Sequence, residues 1–406
     1  MNKPRVLLLS GYFDWFSGYQ ETGLAAWFSR HASIEVVASD RVNPIFSDAH
    51  LAELGVARRY QAGTSVEKDV EVTRFSTFEK RSMVWSTHAR RYIASQKYDI
   101  IIQVTPGQLL PVAGTLTRNR AFRIALYGDN RAMWSHLSCG QRLLKGVAFA
   151  ASKGALYSVV NYRADAVYGC TPNTVSRLRR FSGGKTMSVL PLAFDPEKFY
   201  FDAETRQSRR RSMNYTATDT VIMAAGKFQV KKRLDLLLNA FEKLAAKRAG
   251  LKLLVVGADD SSCARDFRAQ INRSPLLVNA VTVLGFVDAT ELNAIFNAAD
   301  IGVWPRMPAI TIQQAMGTGL KVVLPENDLM GHLILSGSGA YFAESEGASL
   351  RMETAIASQL GGDRDLANRE QRAAINAWLG ADRLPVALLR AAGFGGTRSG
   401  ETRPEA

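Results

Sequence analysis

The chain has 406 residues, 22% of them charged and 47% from the hydrophobic set, with a formal net charge of +14. That length suits two domains with separate cores, and the composition is that of an ordinary globular protein. Three scattered cysteines (Cys139, Cys170 and Cys263) and five histidines show neither disulfide nor ligand spacing, which argues against a disulfide framework and against a bound metal.

The first strand is expected over 5–10. Its run Val6-Leu7-Leu8-Leu9 is far too short for a secretion signal or a membrane span, so the expected location is cytoplasmic. The loop from Gly11 to Gly23 holds Tyr12, Asp14, Trp15, Phe16 and Tyr19, a set suited to stacking on a sugar or lipid-linked acceptor and equally suited to a core. A helix over 19–31, a strand over 34–38, a mostly helical stretch over 75–96 and strands over 99–104, 122–127 and 166–168 follow. Continuous apolar strands separated by helices predict a parallel sheet covered on both faces, ending near Pro191.

Within this half, 141–162 is an apolar helix punctuated by Arg142, Lys145 and Lys153. Such a helix either lies on an anionic membrane surface or packs in an α/β core with its lysines exposed. Nucleic acid is not expected as a partner, because no zinc-finger spacing, heptad-bearing basic region or RNP-like aromatic motif is present.

The segment 199–218 carries Arg206, Arg209, Arg210 and Arg211 without an apolar period, and reads as a linker plus a surface segment. Alternation then resumes, with strands over 221–224, 251–256, 281–284, 301–304 and 321–324. Helices are expected over 234–247, 263–273, 291–298 and 312–317. The fold class is therefore α/β: two tandem Rossmann-like, doubly wound domains, with ligands expected in the cleft between their strand ends. The tail from Gly395 reads as disordered.

The richest stretch is Gly226-Lys227-Phe228-Gln229-Val230-Lys231-Lys232-Arg233, between a strand and a long helix. A glycine at a strand end, followed by cations at a helix N-terminus, forms an anion site suited to a diphosphate; taken alone, the stretch reads more readily as a basic solvated turn.

In order, Gly226-Lys227 with Lys232-Arg233, Leu253-Leu-Val-Val-Gly257, Val283-Leu284-Gly285-Phe286-Val287, Ala298-Ala299-Asp300 to Pro305, and Gln314-Ala315-Met316-Gly317-Thr318-Gly319 to Val323 resemble the retaining glycosyltransferases of the GT-B fold, family four. The resemblance is strongest over 221–325 and weaker in the N-terminal half. It implies an acceptor domain over 1–195, a linker over 196–218 and a nucleotide-sugar donor domain over 219–365. It further implies C-terminal helices over 366–394 returning to the first domain, and a tail over 395–406. It implies a UDP- or GDP-linked sugar donor, a saccharide or lipid-linked acceptor in polysaccharide or glycolipid synthesis, and no cofactor or metal. Lys227 and Lys232 would steady the leaving diphosphate, with Gly226 and Arg233 beside them and the amides of Ile310 and Thr311 nearby. Asp129 stands after a strand where relatives often place a histidine beside the donor. Tyr12, Asp14, Trp15 and Tyr19 would meet the acceptor.

One departure stands out. The family has two glutamates with seven residues between them, and here the positions are Arg306 and Gln314. Gln314 keeps a carbonyl acceptor for a ribose hydroxyl. Arg306 instead either recognises an acidic donor group or forms a structural ion pair. An active transferase and a catalytically inactive glycosyltransferase-like partner of an active synthase thus both fit the sequence.

Overall fold

The computed structural model describes residues 3–80, 83–118, 120–128, 138–360 and 364–394. The chain divides into two units, Met1–Pro191 with Asp382–Ala406, and Leu192–Ala381. Asp129 and the tail from Gly395 lie outside the described residues.

In the first unit the strands are β1 (Arg5–Leu9), β2 (Ser33–Ser39), β3 (Gly63–Glu67), β4 (Val70–Phe75), β5 (Phe78–Lys80), β6 (Met83–Trp85), β7 (Ile100–Val104), β8 (Phe122–Tyr127), β9 (Ala166–Gly169) and β10 (Ser188–Val189). Eight of them form one sheet in the order β10-β9-β8-β7-β1-β2-β4-β3, parallel apart from the β3–β4 edge pair. The register sets Leu8 beside Val36 on one side and Ile102 on the other. All three are fully buried, which is why these strands are apolar on both faces rather than alternating.

The 75–96 region differs from expectation. Residues Phe78–Lys80 and Met83–Trp85 form an antiparallel pair, and the helix is confined to Thr87–Ser95. Ser86 explains the late start: its hydroxyl accepts from Ala89 N–H and caps the helix.

The stretch Cys139–Arg163 is helical throughout, with a π turn at Ala150–Gly154. Phe149, Tyr157 and Val160 turn into a core cluster with Tyr127 and Phe181.

The second unit has a single parallel sheet of β11 (Thr220–Ala225), β12 (Leu251–Val256), β13 (Val281–Leu284), β14 (Ile301–Val303), β15 (Lys321–Pro325) and β16 (Gly339–Phe342). Their order is β13-β12-β11-β14-β15-β16. The helix Leu234–Lys247 buries Leu237, Leu238, Phe241 and Leu244 against it.

The expected linker contains a helix, Ala203–Ser212, capped by Asp202. It lacks an apolar period because its inward face is built from arginines. Arg210 is buried and donates to Asp300 at 3.2 Å and to the carbonyls of Ala298, Thr216 and Asp219. Arg206 also reaches Asp300, and Arg209 pairs with Glu291. Asp300 in turn accepts from the Val221 amide at 2.7 Å, so this helix is tied to the start of β11.

Candidate functional site

Each sheet has a point where the strand order reverses, and ligands of open α/β sheets collect beyond the carboxyl ends of the strands there. In the second unit that point lies between β11 and β14, because β12 and β13 extend one way and β15 and β16 the other. In the first it lies between β1 and β7.

The β11–β14 edge brings together residues far apart in sequence. Gly226, Lys232, Val256, Trp304, Pro305 and Met307 line one recess. Gly226 has φ +136°, a conformation open to glycine, and a Cβ there would lie 2.4 Å from Lys232 Nζ. The lysine amine therefore sits directly over the glycine. Gly257, at the end of the neighbouring β12, has φ +102°, and a Cβ would stand 2.8 Å from the Gly226 carbonyl oxygen. Two glycine turns thus stack where side chains would block the backbone.

Lys232 carries the electrostatics of this recess. Burial lowers its pKa, with Lys231 adding to the effect, and no acidic group among the described residues pairs with it. A half-buried ammonium without a counter-charge is a place for an anion. The helix Ile310–Gly317 starts nearby, and its N-cap Ala309 supplies no side-chain acceptor; the Ile312 amide donates to the Ala309 carbonyl, and those of Ile310 and Thr311 have no side-chain cap. Its position is fixed by a small hub. Trp304 Nε1 donates to the Ala225 carbonyl at 2.9 Å and to Thr311 Oγ1 at 3.1 Å, and Thr311 Oγ1 donates to the same carbonyl at 3.0 Å.

The remaining donor-side candidates fall into distinct settings. Lys227 is exposed. Close by, Asp259 has its pKa lowered by Ser261 and, more weakly, by Lys227. Arg233, in a left-handed conformation with φ 55°, turns to Asp235 at 2.9 Å; its charge is already matched. Arg306 lies 3.9 Å from Glu344, so of the two readings of this residue the ion pair is present. The Thr311 hydroxyl is committed to the hub, leaving only its amide and that of Ile310 for a ligand. Gln314 is partly exposed. Trp304 was not singled out from sequence, although a tryptophan ending a buried strand is a usable signal.

At the β1–β7 edge two members of the aromatic loop, Tyr12 and Asp14, follow the core reading and not the acceptor one. Tyr12 is buried and donates to Glu79 at 2.9 Å. Asp14 is buried too, with its two oxygens accepting from Asn43 N–H and the Tyr60 hydroxyl, each at 3.1 Å. Burial raises its pKa, and these two bonds and Arg74 oppose that. Both residues hold the loop and are turned away from solvent. Trp15 packs edge-on against Phe13, and Lys68 lies over its ring. Tyr19 is exposed and stacks on Phe46.

Sequence reasoning missed two features of this edge. Glu21, in the first turn of the helix Gln20–Phe28, has a pKa pushed up to about 7 by burial, with Asp14 adding. Thr105, directly after β7, is exposed yet held at φ 50°, and the Gln108 side chain lies against Gly11 with its Oε1 unpaired. Strain of this kind at a ligand edge is worth about 1–3 kcal/mol.

Residues 219–358 match the family model of glycosyl transferases group 1. A search of curated proteins finds no match. Among solved structures the chain is similar to Anabaena HepE in complex with UDP (17% identity over 96% of this chain and 100% of that one, TM-score 0.65). It is also similar to sucrose-phosphate synthase from Thermosynechococcus elongatus (16%, 96% and 98%, TM-score 0.64). A glycosyltransferase from Rickettsia africae matches over 97% and 98% at 12% identity, TM-score 0.64. At these identities the structures show a shared fold, GT-B, with its two Rossmann-like domains.

Proposed function

We propose that this chain, a glycosyltransferase by its group 1 domain and its GT-B fold, moves a sugar from a nucleotide-sugar donor to a saccharide or lipid-linked acceptor. The observation that carries the reading is the unpaired Lys232 ammonium over Gly226, beside a helix N-terminus without a side-chain cap. As the glycosidic bond breaks, negative charge builds on the leaving diphosphate. A fixed cation and aligned amides stabilise that charge without reorganising. Lys227, exposed and next to Gly226 in sequence, adds a second cation.

Metal independence belongs to this proposal, since the lysines take the role a divalent ion would fill; activity undiminished in chelator is the expected result. Retention of configuration is proposed as well, by attack on the face the diphosphate leaves within an oxocarbenium-like ion pair. That route requires no protein nucleophile. The HepE structures hold UDP and UDP-glucose, which supports a uridine nucleotide as the first donor to try here, with GDP sugars next. Polysaccharide or glycolipid assembly in the cytoplasm is the proposed setting.

Titration calorimetry with UDP, GDP and their sugar conjugates, on wild type and Lys232→Ala, tests the reading. Binding of one nucleotide that is lost in the variant supports it. Silence with every nucleotide overturns it and favours an inactive glycosyltransferase-like partner, for which the arginine at 306, paired with Glu344, is the supporting observation.

A further inference from the structure

The helical run Cys139–Arg163 has 25 residues and is apolar enough in length and composition to cross a membrane, yet only part of it is buried. One face is committed to the first unit's core through Phe149, Tyr157 and Val160, and a helix so anchored cannot also span a bilayer. Among the described residues the opposite face stays exposed. Leu143 is 70% exposed, Leu144 73%, Val147 61% and Tyr162 73%. A soluble surface seldom spends three large aliphatic side chains within five residues on water.

Charge identifies what covers them. From Asn130 to Ala164 the sequence has no aspartate or glutamate and carries Arg131, Arg142, Lys145, Lys153 and Arg163. Arg142 and Lys145, which flank Leu143 and Leu144 in sequence, are exposed. More cations flank the same helix. The turn Arg179–Phe181 packs on it by Phe181, with Arg179 and Arg180 exposed. Lys185 Nζ donates to the Tyr162 carbonyl at the helix C-terminus. Exposed apolar side chains in a basic segment without aspartate or glutamate match an anionic lipid interface, where leucines enter the acyl boundary and cations meet headgroup phosphates.

We propose that this face docks the protein on an anionic membrane surface, the helix lying in the plane of the interface. A lipid-linked acceptor would then be met at the surface on which it resides. The docking itself does not depend on the donor chemistry.

The test is co-sedimentation of the full chain with vesicles of phosphatidylcholine alone and of phosphatidylcholine mixed with phosphatidylglycerol. Two double variants, Leu143→Glu/Leu144→Glu and Arg142→Glu/Lys145→Glu, run alongside, with circular dichroism melts to establish folding. All four side chains are exposed, so both variants are expected to melt with the wild type. Wild type is expected to sediment with the anionic vesicles, and to be released by salt. Each cation lost is expected to weaken partitioning about fivefold, and the leucine variant at least tenfold. Absence of sedimentation on anionic vesicles overturns the proposal. So does full retention by either variant. A wild-type dimer in light scattering that Leu143→Glu/Leu144→Glu dissolves, without vesicle binding, would assign the face to a second copy of the chain instead.

Discussion

Gly226→Ala is the sharpest test of the Lys232 geometry, because it adds one methyl group and removes nothing. The new Cβ would arrive 2.4 Å from Lys232 Nζ, so the amine must retreat by roughly 1 Å to reach ordinary van der Waals contact. It ends a flexible side chain and can do so cheaply. The backbone cannot: φ +136° strains any L-residue, by about 1–3 kcal/mol of stability. The loss to nucleotide binding is separate. A displaced ammonium forfeits a charge-assisted hydrogen bond worth about 1.5–3 kcal/mol, or about a 10- to 150-fold weaker Kd.

Calorimetry with the bound nucleotide reads the second quantity, and a thermal melt the first. The pair of substitutions separates the causes. In a Lys232→Ala background the alanine at 226 has no amine to displace, so it should cost little further affinity, giving a non-additive cycle. A folded Gly226→Ala protein that binds as tightly as wild type would refute the reasoning. Fully additive losses would also refute it, by showing that the glycine acts independently of the lysine.

Other expectations follow from the same contacts. Lys232 has its pKa lowered by burial, so nucleotide affinity should decline on the alkaline side below the ordinary lysine range. Lys232→Arg should move that decline upward, and an unchanged profile would count against this amine. Glu21 is raised to about 7: the folded state holds its proton while the unfolded state has released it. Its stabilising share is therefore complete below about 4.5 and disappears as pH climbs to about 7, a swing of roughly 3 kcal/mol at most. Denaturant titrations of Glu21→Gln and wild type across that window should diverge, and parallel slopes would contradict the assignment. Asp300→Ala removes the acceptor of Val221 N–H and the carboxylate partner of Arg206 and buried Arg210. A loss of about 3 kcal/mol is expected in chemical denaturation, and a change under 1 kcal/mol would show that the carbonyl bonds alone hold Arg210.

The parallel sheets were legible because buried strands such as Val6–Leu9 and Ile100–Ile102 leave continuous apolar runs that little else produces. The glycine and lysine of the donor edge were legible for a similar reason, since glycine before a cationic helix start leaves a local signature. What was hidden depended on partners distant in sequence. The helix Ala203–Ser212 looked like linker because its inner face is arginine, and arginine is buried only where a residue such as Asp300, ninety positions on, receives it. Tyr12 and Asp14 looked available for a ligand because Glu79, Asn43 and Tyr60 are not adjacent to them in the chain. Trp304 and Thr311 meet at Ala225 only once β11 and β14 are neighbours. The family match, beginning at 219, excludes the arginine helix that neutralises Asp300.

The first unit is discontinuous, and this bears on how the protein is made. The helix Arg383–Ala391 packs on the helix Gln20–Phe28, with Arg30 lying 3.7 Å from Asp382. It buries Leu384, Pro385, Leu388 and Leu389. During vectorial synthesis, residues 20–28 leave the ribosome more than three hundred residues before the helix that covers them. At about 5–20 residues per second that interval is of the order of tens of seconds. The second unit, continuous from Leu192 to Ala381, is complete first. The unit that contains β1 is thus the last to close, and until then the flank that the helix Arg383–Ala391 covers stays open.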